Sequence, residues 1–191
     1  MANASSLSPP GSGGRTPTAK PKAGPATAAG IVFLVLALGA FAAWASSNLP
    51  YSPLARPEVL AAESVRLLEA DEPRQAAEII RRELDLRPYD ASAWCRMAAS
   101  QLAISRRLDP QVQDLLQRSY AASAIDVEAF AWRSALIFNH WSEVSPHLRK
   151  AAVDEVRAMD GIWETRPQVA KLADAVRDPT GNLALAIIRK P

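Results

Sequence analysis

Three amphipathic stretches of this chain begin alike, on an acidic residue or serine followed by proline: Glu72-Pro73, Asp109-Pro110 and Ser145-Pro146. The prolines lie 37 and 36 residues apart. Behind them come Ala76, Ile80 and Leu84, then Val112, Leu116 and Tyr120, then Leu148, Ala152, Val156 and Met159. Such spacing puts the apolar side chains on one face of a helix. Asp and Ser suit the N-cap because their oxygens accept otherwise unpaired backbone N–H groups, and proline suits the next position because it has no N–H to leave unpaired. Glu72 is the poorer cap, so Asp71 beside it is expected to serve instead. No strand alternation of useful length interrupts the helical periods from Pro57 onward, and the expected class is all-α.

A second series alternates with the first. "DASAWCRMAASQLA" and "DVEAFAWRSALIF" open on Asp90 and Asp126 and contain Trp94 and Trp132, 38 residues apart. Two interleaved helix types sharing an interval of about 34–38 residues describe a stack of helix pairs, an α-solenoid.

The segment "QAAEIIRRELDLRPYDASAWCRMA" resembles a tetratricopeptide repeat. Ala76, Ile80, Pro88 and Trp94 stand at the spacing of that family's small residue, large apolar residue, closing proline and opening tryptophan, with Met97 and Ala98 where the family has Leu-Gly. The match is good over 57–103. The next unit departs from it, with Ala124 near the proline position and a few extra residues. Tetratricopeptide-like repeats are therefore expected over 57–160, and closing helices over 161–191. The resemblance implies that the first helix of each pair lines a groove. Carried over from Trp94 and Trp132, the lining is Ser92, Cys95 and Ala99, then Phe130, Arg133, Ile137 and His140. Such a groove is mostly apolar and suits a peptide or helix better than a polysaccharide. Alternatively, the C-terminal "LALAII" fills the groove itself. The stretch "NLALAIIR", 182–189, reads equally as a buried helix or a short strand.

Ahead of the helices, residues 1–25 are rich in Ser, Pro, Gly and Ala, with three cations, and are expected to form a disordered cytoplasmic tail. "ATAAGIVFLVLALGAFAAWA" follows without a charge and is long enough to cross a hydrocarbon core of roughly 30 Å. A signal anchor over 26–46 and a linker over 47–56 are expected. Cations precede the run, so the N-terminus is expected to stay cytoplasmic and the rest of the chain to cross. "AWA" at 43–45 also reads as a signal-peptidase site, which would release the domain. Gly39 and Ala43 form a small-residue pair that suits helix approach or, more simply, a lipid-facing surface.

From residue 46 onward, 19 Lys/Arg stand against 20 Asp/Glu, a balance that gives no electrostatic footprint for nucleic acid. The single cysteine, Cys95, excludes an intrachain disulfide and a multi-cysteine metal centre. "HWSEVSPHLRKAAVDEV", 140–156, gathers His140 and His147 with Ser142, Ser145 and Glu143. Ser145 and Pro146 read as the start of a helix, and no glycine-rich turn offers an oxyanion hole. No catalytic, cofactor or metal residue is assigned, and the chain is expected not to be an enzyme; a hydrolase or transferase using His140 and His147 is the contrary reading. With its single span, the chain also looks like small membrane-anchored tetratricopeptide-like proteins of bacterial exopolysaccharide and O-antigen-type export. The stretches are "LRPYDASAWCRMA", "RSYAAS" and "HWSEVSPHLRKAAVDEVRAM". The resemblance implies a bacterial inner-membrane protein with its helical part in the periplasm, a scaffold for membrane or periplasmic proteins; cytochrome maturation or cell division are alternative settings.

Overall fold

The computed structural model describes residues 25–189, with side chains from residue 33 onward. The tail expected over 1–25 lies almost wholly outside these. Among the described residues the chain is all-helical, with no strand: α1 (Pro25–Ser47), α2 (Pro57–Glu69), α3 (Pro73–Leu86), α4 (Ala91–Ser105), α5 (Pro110–Ala122), α6 (Val127–Asn139), α7 (Pro146–Gly161), α8 (Arg166–Ala175) and α9 (Pro179–Ile188). The stretch 182–189, open between helix and strand, belongs mostly to α9. The described residues fall into two units, one up to Ala42 and one from Ala43 onward. In the first, the large apolar side chains from Phe33 to Phe41 are exposed. Among the described residues no helix is long and apolar enough to cross a membrane. Of the span expected over 26–46, the helix is described throughout but its side chains only from residue 33.

In the second unit the caps follow the sequence. The carboxylates of Asp90, Asp109 and Asp126 accept from the backbone N–H groups of Ala93 (2.8 Å), Val112 (2.9 Å) and Ala129 (2.9 Å). Ser145 Oγ accepts from Leu148 at 3.5 Å. The start of α3 differs: Glu72 is its N-cap without a side-chain bond, and Asp71, expected to cap, instead turns the chain at φ 57°. Arg106 does the same after α4, at φ 58°. Left-handed backbone costs a non-glycine residue about 1–2 kcal/mol, so both turns are held by the helices they join.

From α2 to α5 each helix packs on the next; α4 also touches α2 and α6, and α5 touches α7. Burial recurs at a strict interval of 36 residues along α3, α5 and α7: Ala76, Val112 and Leu148; Ile80, Leu116 and Ala152; Glu83, Ser119 and Glu155; Leu84, Tyr120 and Val156. The last helices, α8 and α9, both pack on α6 and α7. Gly181 of α9 lies so close to α6 that a Cβ placed there would stand 1.8 Å from the Phe138 carbonyl oxygen.

Two ion pairs are buried in this interior. Arg96 Nη2 donates to both oxygens of Glu83 at 2.7 Å, joining α4 to α3. Arg133, wholly buried, joins α6 to α7 by donating through Nε to Glu155 Oε2 (2.9 Å) and through Nη2 to Glu155 Oε1. Its Nη1 reaches the Ser119 carbonyl (3.2 Å), the Ser119 hydroxyl (3.2 Å) and the Ser123 carbonyl (2.9 Å), and Nη2 also reaches the Ala124 carbonyl (3.3 Å). Tyr120 stacks on the guanidinium at 3.9 Å and donates its hydroxyl to Glu155 at 3.0 Å. Burial opposes the charge on Arg133, but the Glu155 carboxylate outweighs it and raises the arginine's pKa; burial and the same carboxylate raise that of Tyr120.

Removing one partner of such a pair strands a buried charge and costs about 3–5 kcal/mol, a large share of the roughly 5–15 kcal/mol that holds a domain together. Arg133→Met and Glu155→Leu should each lower unfolding stability by about that much. The double variant Arg133→Met/Glu155→Leu should lose less than either single change; a denaturant-unfolding cycle in which the losses add would contradict the coupling. Gly181→Ala should cost about 1–3 kcal/mol through overpacking against Phe138, read as a lower thermal midpoint with earlier proteolysis at the α9 end.

Candidate functional site

Four of the seven residues expected to line a groove lie in the interior. Cys95, Phe130, Arg133 and Ile137 are fully buried, while Ser92, Ala99 and His140 are half-buried. The physical reason is packing: α4 lies against α2 and α6, and α6 lies against α8 and α9, so the faces carrying these residues are covered by neighbouring helices. Burial on α4 and α6 recurs at 38 residues, at Ala91 and Ala129, Cys95 and Arg133, Arg96 and Ser134, and Ser100 and Phe138. Glu128 and Trp132 of α6 stand exposed beside Ser92 and Cys95 of α4.

On that side α2, α4 and α6 enclose a recess of about 100 Å³ lined by Val65, Ser92, Cys95, Arg96, Glu128, Ala129 and Trp132. Ser92 Oγ and Arg96 Nε are buried without a hydrogen-bond partner. Burial pushes the Cys95 thiol up to about 12, so at neutral pH it is a small apolar side chain and not a nucleophile. The inner face of α6 is covered by α9, whose Leu185 shares a core with Phe130, Ile137 and Phe138. The C-terminal apolar segment thus fills much of the space that the groove residues of α6 were expected to border.

Further concavities lie along α3, α5 and α7. Between α3 and α5 a hollow of about 370 Å³ has Trp94 and Met97 of α4 in its lining with Ala77, Leu84 and Leu115, and Arg81, Asp85, Gln101 and Gln111 around them. Trp94 is shared with a hollow of about 200 Å³ lined by Pro88, Tyr89, Arg118, Ala121 and Ala122. Ala121 is shared in turn with one of about 400 Å³ between α5 and α7, lined by Tyr120, Ala124, Ile125 and Ala151, with Gln117, His147, Asp154 and Glu155. Joined by the shared Trp94 and Ala121, the three hollows make a mostly apolar track beside α3, α5 and α7. Arg118 lies over the Trp94 ring at 5.2 Å, and the Trp94 indole donates to the Pro88 carbonyl at 2.8 Å, so the aromatic shared by two of the hollows is held from both sides. The sequence signal for this track is the apolar and small residues flanking each core stripe, such as Ala77, Leu115 and Ala151.

The histidine cluster is a helix junction in its geometry. His140 ends α6 with Nδ1 3.3 Å from Glu143 Oε1. Ser145 caps α7, its backbone N–H donating to Gln113 Oε1 at 3.0 Å. The Ser142 carbonyl accepts from Arg149 at 3.0 Å, and His147 is exposed on the first turn of α7. Among the described residues neither imidazole bonds a serine hydroxyl, and no three metal-ligating side chains converge.

Glu83 gives the site a pH signature. Burial raises its carboxyl above the usual range, against the opposing pull of Arg96. A carboxyl whose pKa folding raises contributes stability that is complete below its unfolded value and is lost as pH rises through its folded one. The advantage of the wild type over Glu83→Gln should therefore shrink as pH is raised from below about 4.3 towards neutrality. Denaturant midpoints across that window check this, and an advantage that grows with pH would be the contrary result. No protein-family model matches the chain, and no curated protein and no solved structure matches it.

Proposed function

We propose that this chain is a tetratricopeptide-like solenoid of three helix pairs, α2–α3, α4–α5 and α6–α7, closed by α8 and α9, that acts as a membrane-anchored scaffold. The 36-residue recurrence of buried positions supports the repeat reading, because equal spacing of core side chains is what stacked, equivalent pairs require. The scaffold reading is carried by the continuous apolar track along α3, α5 and α7. Its length crosses repeat boundaries, and its mixed rim of Arg81, Asp85, Gln111, Gln117 and Asp154 fits an amphipathic helix or extended peptide better than an anion or a glycan.

The anchor is the uncharged helix over 26–46, and the setting is the inner-membrane and periplasmic machinery of exopolysaccharide biosynthesis or export. That setting rests on the sequence resemblance of "LRPYDASAWCRMA" and "HWSEVSPHLRKAAVDEVRAM" to small export-system proteins. Tethering confines the track to a thin layer beside the membrane and raises its effective concentration for partners held there.

The test is a photo-crosslinking residue placed at Gln111 or Gln117, both exposed on the rim, in the full-length chain in cells. The expected adduct is a membrane or periplasmic protein of polysaccharide assembly, identified by mass spectrometry, with far less of it from a probe at Ala99. Adducts with soluble cytoplasmic proteins alone, or with glycan, would overturn the reading.

A further inference from the structure

Between Lys22 and Arg56 the chain has 33 consecutive residues without a charged side chain, well beyond the roughly 20 that a bilayer core requires. The excess is not a loose linker. Arg82 of α3 donates through Nη1 to the Pro50 carbonyl at 2.7 Å and through Nη2 to that of Ser52. The Arg56 backbone N–H donates to the Ser47 carbonyl at 3.0 Å, its guanidinium bonds Asn48 Oδ1, and Asn48 Nδ2 donates to the Trp44 carbonyl at 2.8 Å. Ala55 is buried in the core shared by α2, α3 and α4.

This bracing turns the apolar side chains outward. Leu49 is 60% exposed, Tyr51 63% and Leu54 56%, and Trp44 on the last turn of α1 is 61% exposed. A free linker could fold such side chains inward, whereas this one is held with them facing solvent. Two of the four are Trp and Tyr, whose apolar bodies and polar edges suit the boundary between lipid and water. They also continue the exposed, uncharged run of Phe33–Phe41.

We propose that Trp44, Leu49, Tyr51 and Leu54 form a collar that seats this end of residues 43–191 in the headgroup region of a lipid bilayer. The collar rests on the anchor reading above and adds to it a fixed contact between the folded unit and the lipid. Arg56, the first charge after the run, then lies where lipid phosphates are available to it.

Single cysteines in the full-length chain test this, each carrying an environment-sensitive fluorophore. Native Cys95 is buried and unreactive, so Leu49→Cys, Tyr51→Cys, Leu54→Cys, Val35→Cys and Gln117→Cys can be labelled selectively. The proteins are reconstituted into phosphatidylcholine–phosphatidylglycerol vesicles containing nitroxide lipid. The expected result is loss of most fluorescence at 49, 51 and 54 to headgroup-region nitroxide, with shielding from aqueous iodide, while the label at 117 stays iodide-accessible. If the collar labels are as accessible as 117 while the label at 35 is quenched by acyl-chain nitroxide, the collar is overturned and the anchor stands. If the label at 35 is also unquenched, both fall.

Discussion

A guanidinium does not give up its proton inside a protein, so a fold that buries one must surround it with acceptors. Arg133 is the case on which this chain depends. Its partners come from three places: Glu155 on α7, Ser119 on α5, and the carbonyls of Ser123 and Ala124 in the loop between α5 and α6. One side chain thereby fixes where α6 enters, how α7 returns and where α5 ends. Tyr120 closes the remaining face, and the Asp126 backbone N–H reaches Glu155 at 3.4 Å. A hydrophobic residue of similar volume could fill the space, but it would impose none of these distances. The ion pair thus contributes specific geometry more than net stability.

The helix starts were legible because their chemistry is local. Asp90, Asp109, Asp126 and Ser145 cap the helices they precede, and each reads from its neighbours alone. Asp71 was not legible in that way, because its left-handed backbone is imposed by the packing of α2 on α3. The burial of the residues expected to line a groove was not legible because it depends on distant parts of the chain. Cys95 and Arg133 sit on helices that pack against each other, and Phe130 and Ile137 share a core with Leu185 of α9. On α3, α5 and α7, by contrast, four core positions recur at the interval of 36 that the helix starts suggest.

That interval also explains the interior polar residues. Glu83, Ser119 and Glu155 occupy one repeated position on α3, α5 and α7. Arginines from the first-helix series reach all three: Arg96 bonds Glu83, and Arg133 bonds both Ser119 and Glu155. Were the middle position also glutamate, Arg133 would face two carboxylates, and one negative charge would be left uncompensated in the core. Serine avoids that. Its hydroxyl donates to the Ala91 carbonyl at 2.7 Å and accepts from Arg133, linking α5 to both α4 and α6 without adding charge.

The same arrangement bears on the outer track. A surface that binds an extended partner loses affinity if its walls must first be brought into line, because ordering them costs entropy at the moment of binding. Here α3 and α5 are both tied to α4, by Glu83–Arg96 and by Ser119–Ala91, and α5 and α7 are both tied to Arg133. Each bond runs from α4 or α6 to α3, α5 or α7 and fixes one wall of a hollow. The residues that set the spacing of the track are therefore buried behind it. Substitutions on its rim would leave its walls in place, whereas substitutions in the polar interior would change their spacing.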